Sequence, residues 1–480
     1  MCPDRTAVIG IDVGTSGVRT LLADPAGKVL AQTECSLSTY RLAAAGIHEQ
    51  DPRDWWLAIC DAVPAALKQA GQFGISKIAG ITVTSTSGSL VLADRAGAPV
   101  RAAILYDDNR AGPICEGTGM WLGSTGHQLN ASFSLAKALW VRDQEPEVWE
   151  RAQRLLHPAD WIMGKLTGEF GLADSSNALK LGFDQEARQW DSAVLSSGIP
   201  MDRMPSILSP GEPAGLVCTT AATETGLNRG VPVFAGATDG VASLLASGAS
   251  LPGEANTTLG TTTVWKVLTE RRPRATRQVY CHRHPLGLWA PGAASNSGPG
   301  CLHWPSLAID PAEVDRQAAG FLPSSVVCYL LAGVGERFPF SNGRAQGFVE
   351  GNPEGPAQWH AAQLQSLAFL ERWGYEVLEG AGIFVGDQVF STGGAAKSDV
   401  LSRLRSTVLR RNVTRVRYPA AAFGACILAA SGGFFGGSVK TAVQDMTVVC
   451  STAAPAPDEV DSYDELYLRF RQACAQRGYA

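Results

Sequence analysis

The sequence lacks the paired cysteines and basic runs that mark several classes of protein. Its 11 cysteines include no CxxC pair, and its seven histidines show no ligand spacing near them, so no zinc site is predicted. The thiols, scattered in a chain without a secretory leader pattern, indicate a reducing cytoplasm. A formal net charge of -5 without a Lys/Arg run argues against nucleic acid and against an anionic membrane as partners.

Long apolar segments are also missing. The most apolar late stretch, residues 423–437, is too short and too rich in Gly and Ser to span a bilayer, so we expect no membrane segment. What the sequence has is length, because 480 residues with 45% hydrophobic content suffice for two large domains. Apolar strand-like runs, such as residues 8–13, 78–83 and 231–234, alternate with helical patterns, which predicts an α/β fold.

An internal similarity divides the chain into two halves. Residues 14–18 read GTSGV and residues 260–264 read GTTTV, about half the chain apart, each between two apolar runs. We therefore predict an N-terminal domain over residues 1–249 and a C-terminal domain over residues 250–480, each with a mixed sheet. An amphipathic pattern from Tyr463 to Phe470 predicts a last helix that packs back onto the body.

The two repeated loops are candidates for phosphate binding. A turn of Gly, Thr and Ser between two strands presents backbone N–H groups and hydroxyls to phosphate oxygens, although one such loop alone is more typical of an ordinary hairpin turn. Two copies in paired halves favour a nucleotide's phosphates. The residues concerned are Thr15, Ser16, Gly260, Thr261 and Thr262.

Asp12 and a late glycine pair are further candidates. Asp12 precedes the first loop, where a carboxylate can hold Mg²⁺ beside phosphates; the alternative is a buried acid satisfied by turn amides. Gly393 and Gly394 begin the run GGAAKS, which is not a P-loop because Ala396 replaces the second glycine. Close approach at these glycines still suits adenine or an α-phosphate.

Asp239 follows the apolar run at residues 231–234 and precedes a helical pattern. It could cap that helix. It could also be the general base of a phosphoryl transfer, which needs a carboxylate within hydrogen-bond reach of the acceptor hydroxyl. The residues alone leave both interpretations open.

Many ordered motifs resemble those of the FGGY carbohydrate kinase family, within the sugar kinase, actin and Hsp70-type fold. They run over nearly the whole chain and include IGIDVGTSGVR, EQDPRDWW, AILYDDNRA, SFSLAKALWVRDQEPE, FAGATDG, TTLGTTTVW and STGGAAKS. The resemblance implies two actin-like (ribonuclease H-like) ATPase domains, ATP and Mg²⁺, and a sugar in the cleft between the domains. It further implies Asp239 as the general base, and the two loops with Gly393 and Gly394 as the nucleotide site.

The resemblance is more specific on the sugar side. Xylulose kinases usually carry Gln-Met-His-Gly where this chain has TSGS at residues 86–89, whereas SSNALKLGF and GAASNSGPG resemble a cyanobacterial and plant branch that acts on D-ribulose. In that branch the positions matching Asp12, Ser87 and Asp239 contact the sugar, and we add Gly88 to this set. Thr84 and Ser398 replace an Asp and an Asn that are usual in the family, the latter near the adenine.

We therefore predict a cytoplasmic, ATP-dependent kinase that converts D-ribulose to D-ribulose 5-phosphate. One alternative is a kinase for D-xylulose or another ketose or polyol. A second is an actin-like ATP-binding protein without a sugar substrate, against which Asp239 and the sugar-side serine count. A third, a sugar-sensing regulator, would normally carry a DNA-binding segment, and none is visible before Val8.

Overall fold

The two strand-turn-strand repeats belong to two different sheets in a computed structural model that describes residues 5–123, 126–274, 278–302 and 311–479. The chain forms two compact units. The first comprises Met1–Ala246, His282–Gly287 and Tyr418–Thr447, and the second comprises Ser247–Cys281, Leu288–Arg417 and Val448–Ala480.

The strands are numbered in chain order. They are β1 Arg5–Val13, β2 Gly17–Ala23, β3 Val29–Ser36, β4 Tyr40–Leu42, β5 Ile47–Gln50, β6 Ile75–Ser85, β7 Val91–Ala93, β8 Ala103–Ile104, β9 Trp121–Leu122, β10 His127–Gln128, β11 Arg154–Leu156, β12 Leu172–Asp174, β13 Phe183–Asp184, β14 Gln189–Trp190, β15 Ser206–Leu208, β16 Pro213–Leu216, β17 Pro232–Phe234, β18 Ala255–Leu259, β19 Thr263–Val267, β20 Tyr280–Arg283, β21 Trp289–Ala294, β22 Val327–Tyr329, β23 Phe348–Glu350, β24 Gln388–Thr392, β25 Asn412–Val416 and β26 Val449–Ala453.

The α-helices follow the same order. They are α1 Pro52–Gly71, α2 Gly112–Thr118, α3 Ser134–Gln144, α4 Pro146–Arg151, α5 Pro158–Thr167, α6 Ser175–Ala178, α7 Ser192–Leu195, α8 Thr219–Thr225, α9 Asp239–Ala246, α10 Pro311–Ala319, α11 Pro356–Gly380, α12 Asp399–Leu409, α13 Ala421–Gly433, α14 Val439–Met446 and α15 Val460–Gln476. Within the described ranges, none of them combines the length and the hydropathy that a bilayer crossing requires.

The sheet of the first unit has the strand order β16-β17-β6-β1-β2-β3. β1 pairs with β6 in parallel and β6 with β17 in parallel, whereas β1 and β2 form the predicted hairpin. The carboxyl ends of β1, β6 and β17 therefore meet at one edge. There Asp12 lies opposite Thr84, and Ser85 forms a bridge with Thr238. The backbone segments that carry the candidate acids Asp12 and Asp239 therefore lie at this edge of the sheet.

The apolar helix α13 returns to the first unit and packs on β1, β6 and α9. Two glycines allow this contact: a Cβ on Gly10 would lie 2.1 Å from the Ala422 carbonyl oxygen, and one on Gly424 would lie 2.0 Å from that of Ala242. The sequence-based division at residues 249 and 250 does not include this return. Because small and apolar residues lie on all sides of α13, its sequence does not show which face the helix buries.

The second unit repeats the plan of the first. Its sheet has the order β20-β21-β19-β18-β24-β25-β26, in which β18 and β19 form a hairpin and β18, β24 and β25 run in parallel. The predicted α/β fold with a mixed sheet in each half is confirmed. The predicted last helix is α15, which buries Tyr463, Tyr467 and Phe470 in the core of this unit.

Candidate active site

Asp12 is a buried acid near the end of β1, 7% exposed, and its Oδ1 has no hydrogen-bond partner in the part of the chain that the structure describes. Burial and the nearby Asp239 raise its pKa to about 7, whereas Arg19 acts in the opposite direction. The interpretation of Asp12 as an acid satisfied by turn amides is not supported for Oδ1. An unpartnered carboxylate oxygen beside a second acid is suited to a cation.

Asp239 begins α9, but the side chain that caps this helix belongs to Thr238. The Val241 amide donates to Thr238 Oγ1 at 3.4 Å and to the Thr238 carbonyl oxygen at 3.0 Å. Asp239 Oδ1 accepts from the adjacent Gly240 amide at 2.6 Å. Capping therefore does not account for a carboxylate at position 239.

Thr238 is itself held by α6, a helix from an earlier part of the chain. Its amide donates to Ser176 Oγ at 3.0 Å, and the two hydroxyls lie 3.1 Å apart. Thr84 Oγ1 donates to the Ala237 carbonyl oxygen at 2.6 Å. Thr84 thus fixes the backbone that leads to Asp239.

Tyr106 lies close enough to Thr15 and Asp239 to interact with both, and the sequence pattern does not predict this position. Burial together with Asp107 and Asp239 raises the pKa of the Tyr106 phenol, whereas the Thr15 side chain acts in the opposite direction. The only hint in the sequence was an aromatic residue followed by two acids in the run AILYDDNRA. Its position depends on the β5–β8 pairing, which forms between distant segments.

In the first loop, the carbonyl oxygens of Thr15 and Ser16 accept hydrogen bonds from the protein, whereas the amides of the same residues have no acceptor in the described chain. Gln50 Nε2 donates to the Thr15 carbonyl oxygen at 2.7 Å, and the Leu37 amide donates to that of Ser16 at 3.0 Å. Among the described residues, the Thr15 and Ser16 amides donate to no protein acceptor. Two unused amides in succession are the donor set that a phosphate oxygen needs.

The turn after β6 presents Ser87. Its Oγ is buried and has no partner among the described residues. Gly88 has φ 90°, and a Cβ there would lie 2.3 Å from the Ser132 carbonyl oxygen, so only glycine fits. The turn therefore fixes the position of the Ser87 hydroxyl, and this hydroxyl makes no hydrogen bond to any described residue.

The second loop shows the same donor pattern in the second unit. The Thr261 and Thr262 amides donate to no acceptor within the described ranges, whereas the Gly260 amide bonds the Thr262 carbonyl oxygen at 3.1 Å. Gly393, with φ 90°, packs so closely that a Cβ would lie 2.4 Å from the Leu259 carbonyl oxygen. The second loop and Gly393, which are both predicted to bind the nucleotide, therefore lie next to each other in this unit.

A cavity of about 640 Å³ lies next to these elements, large enough for a nucleoside. Gly394 and Ser398 line it, and Ser398 Oγ also caps α12 by accepting from the Leu401 amide at 3.0 Å. Pro299 lines it as well, and its neighbour Gly300 donates its amide to the Thr261 carbonyl oxygen at 3.1 Å. The cavity therefore adjoins the second loop.

Metal ligands are few. The described residues contain no group of three or more His, Cys, Asp or Glu side chains that could hold a metal ion. Asp12 remains the candidate, because its Oδ1 lacks a partner among the described residues and Asp239 adds negative charge nearby. A cation bound mainly through water and substrate phosphates, as Mg²⁺ often is, fits one or two carboxylates.

The raised pKa of Asp12 predicts a pH-dependent cost to stability. The folded pKa of about 7 exceeds the unfolded value of 3.8, so the unfolded state loses its proton first and stability falls as pH rises from about 4 to 7. With EDTA present, Asp12→Asn should therefore be more stable than the wild type at pH 8, by up to ~4 kcal/mol at about 1.4 kcal/mol per pKa unit. The gain should be smaller at pH 5. Urea unfolding at both pH values measures it, and an equal gain at both would contradict the buried acid.

Two domain models describe nearly the whole chain. Residues 7–246 match the N-terminal domain of the FGGY family of carbohydrate kinases, and residues 255–432 match the C-terminal domain of the same family.

The chain is also similar to proteins named as xylulose kinases and to a solved xylulose kinase structure. The xylulose kinase of Escherichia coli (strain K12) is 29% identical over 419 residues, 82% of each chain. The xylulose kinase of Bacillus subtilis (strain 168) is 26% identical over 479 residues, 96% of this chain and 95% of that protein. The crystal structure of xylulose kinase from Rhodospirillum rubrum has a TM-score of 0.86 and 26% identity, and 98% of each chain is covered. The predicted two-domain kinase fold is thereby confirmed.

Proposed function

Since the chain belongs to the FGGY family of carbohydrate kinases and is a sugar kinase, we propose that it transfers the γ-phosphoryl group of ATP to a pentulose, D-ribulose in the first place. The observation that carries this proposal is the pair Asp12 and Asp239 at the shared edge of β1, β6 and β17. Asp12 is buried with a raised pKa, and Asp239 is not required as a helix cap. Paired carboxylates of unequal environment suit a metal-assisted transfer to a hydroxyl.

Asp239 is the general base in this mechanism. It takes the proton of the acceptor hydroxyl while that oxygen attacks the γ-phosphorus and ADP leaves. Thr238, anchored by Ser176, holds Asp239 in place. Thr84 supports the same backbone from β6.

Asp12 is the group that would hold Mg²⁺. When bound, the ion neutralises charge on the phosphate oxygens as the phosphoryl group transfers. The Asp12 carboxylate supplies a fixed, buried anchor for it, and the unpartnered Oδ1 is the atom available.

The nucleotide is proposed to use both repeated loops. The unused amides of Thr15, Ser16, Thr261 and Thr262 donate to phosphate oxygens. The cavity lined by Gly394 and Ser398 takes the adenosine. We place the reaction in the cytoplasm, because the described cysteines, such as Cys35 and Cys450, are free thiols typical of a reducing compartment.

The choice of D-ribulose depends on the sugar-side turn. Ser87 and Gly88 stand where xylulose kinases usually carry Met and His, and a serine hydroxyl leaves more space. D-Xylulose is the second candidate, and the names of the relatives favour it. The two sugars differ only in configuration at one carbon, so contacts to the hydroxyl on that carbon would have to discriminate between them.

Ser87→Ala should raise the KM for the sugar about fivefold, the effect of losing one neutral hydrogen bond of about 1 kcal/mol. The KM for ATP and the unfolding midpoint should stay unchanged, since Ser87 Oγ has no partner among the described residues. Steady-state kinetics with each substrate varied in turn measure both constants. Equal effects on both KM values would indicate a structural serine instead.

Coupled ADP release with a panel of acceptors tests the proposed function. The panel contains D-ribulose, D-xylulose, L-ribulose, ribitol and glycerol at matched concentrations. We expect the highest kcat/KM with D-ribulose. If kcat/KM is highest with D-xylulose, D-xylulose is the substrate and the proposed reaction stands. Turnover of only glycerol or ribitol would reject a pentulose as the substrate.

A further inference from the structure

Lys180 lies beside Ser87 and has no part in the reaction as proposed so far. It belongs to the 3-10 turn Leu179–Leu181 that follows α6. A Cβ on Gly88 would lie 3.8 Å from Lys180 Cγ, so the lysine stem passes along the turn that carries Ser87. The ammonium donates to Ser132 Oγ at 3.0 Å and lies 4.2 Å from the centroid of the Phe133 ring.

The charge of this ammonium is not balanced locally. Within the residues that the structure describes, no carboxylate lies within ion-pair distance of Lys180. Lys137, fully buried and donating to the Ala131 carbonyl oxygen at 2.5 Å, supplies no counter-charge, and burial lowers its own pKa to about 7. Burial lowers the pKa of Lys180 to about 8, which is the expected effect on an ammonium without a counter-charge. Of its three donors, one has an acceptor among the described residues.

An unused acceptor lies on the same segment. Asn177 Nδ2 donates to Asp174 Oδ2 at 2.7 Å, whereas Asn177 Oδ1 is buried without a partner in the described chain. Ser176, one residue earlier, bonds Thr238 beside Asp239. Residues 175–180 therefore run from the proposed base to the Ser87 turn, with unused polar groups along the way.

We infer that Lys180 binds the acceptor sugar through its ammonium, with Asn177 Oδ1 as the complementary acceptor on the same segment. This inference rests on the proposed function and extends the sugar site beyond Asp12, Ser87 and Asp239. A group that only donates suits the carbonyl and hydroxyl oxygens of a ketose. The same group would bind the carboxylate of a sugar acid more tightly, because no carboxylate in the described part of the chain balances the ammonium.

Lys180→Met, which keeps the apolar stem and removes the ammonium, tests the inference. We expect the KM for the sugar to rise at least tenfold, as for a hydrogen bond to a charged group, while the KM for ATP is unchanged and kcat changes less than threefold. Lys180→Arg should restore part of the affinity. The exposed Lys440, replaced by Met, controls for the loss of one positive charge.

The inference and the proposed function fail in different ways. If the wild type phosphorylates a pentulose and Lys180→Met, folded as judged by its unfolding midpoint, keeps the KM for that sugar within twofold, the inference is overturned and the function stands. If instead the wild type phosphorylates D-ribonate but no pentulose, and the variant raises the KM for D-ribonate, the inference stands and the pentulose is rejected. A wild type that phosphorylates neither class rejects both.

Discussion

Asp239→Asn lowers kcat by about 10²- to 10⁴-fold in the expected result, because the amide cannot take the proton of the acceptor hydroxyl. The substitution is nearly isosteric. The cap of α9 is supplied by Thr238, so folding should be unaffected. Binding of ATP should survive, since the loop amides and the cavity in the second unit are untouched. The kcat with D-ribulose, the Kd for ATP and the unfolding midpoint are the three measurements.

A matched control is Asp54→Asn, which also replaces an acid in the first turn of a helix, here the exposed Asp54 of α1. This variant should keep its full kcat. Near-normal turnover by a stably folded Asp239→Asn protein would reject the catalytic assignment, and an equal loss in both variants would indicate a general effect of losing a helix-terminal charge.

Glu371→Gln should destabilise the protein by about 3–5 kcal/mol, the usual effect of removing one partner of a buried ion pair. Glu371 and Arg405 are both buried, with Arg405 Nε 2.5 Å from Glu371 Oε2 and Arg405 Nη2 2.7 Å from Glu371 Oε1. Thr257 in β18 also donates to Glu371 Oε1 at 2.5 Å, and Arg405 Nη1 donates to Ser391 Oγ in β24 at 2.5 Å. The pair therefore joins the two strands that lead to Gly260 and Gly393, and we expect weaker ATP binding as well.

Two further variants separate this pair from ordinary charge effects. Glu34→Gln removes an exposed partner of Arg19 and should change the free energy of unfolding by at most about 1 kcal/mol. The double variant Glu371→Leu with Arg405→Met should recover much of the loss, because no buried charge is left unpaired. Urea unfolding with ATP titration measures all three. A small effect of Glu371→Gln would show that the pair does not hold the two strands.

Local sequence patterns were sufficient to predict the elements that carry the nucleotide loops. The hairpins β1–β2 and β18–β19 follow from apolar runs around Gly, Thr and Ser, and their turns have unused amides as expected of phosphate loops. The strand before Asp239 was predictable for the same reason. The structure confirms one mixed sheet in each half.

Features that depend on distant contacts were not predictable. The return of α13 to the first unit is set by close packing at Gly10 and Gly424, and an all-apolar helix carries no pattern that reveals its partner. The sequence does not show whether Thr238 or Asp239 caps α9, because Thr and Asp are both good capping residues, and the hydrogen bond from the Val241 amide identifies Thr238. Tyr106 and Lys180 approach the candidate site only through the fold.

Sugar-dependent ADP formation tests the central claim most directly. The wild type with MgATP is assayed with and without D-ribulose, and ADP and pentulose phosphate are quantified in the same samples. The sugar kinase account predicts that D-ribulose raises ADP formation at least tenfold over the sugar-free rate, with one pentulose phosphate formed for each ADP. Equal ADP formation with and without sugar, and no phosphorylated sugar, would contradict it and favour an actin-like ATPase.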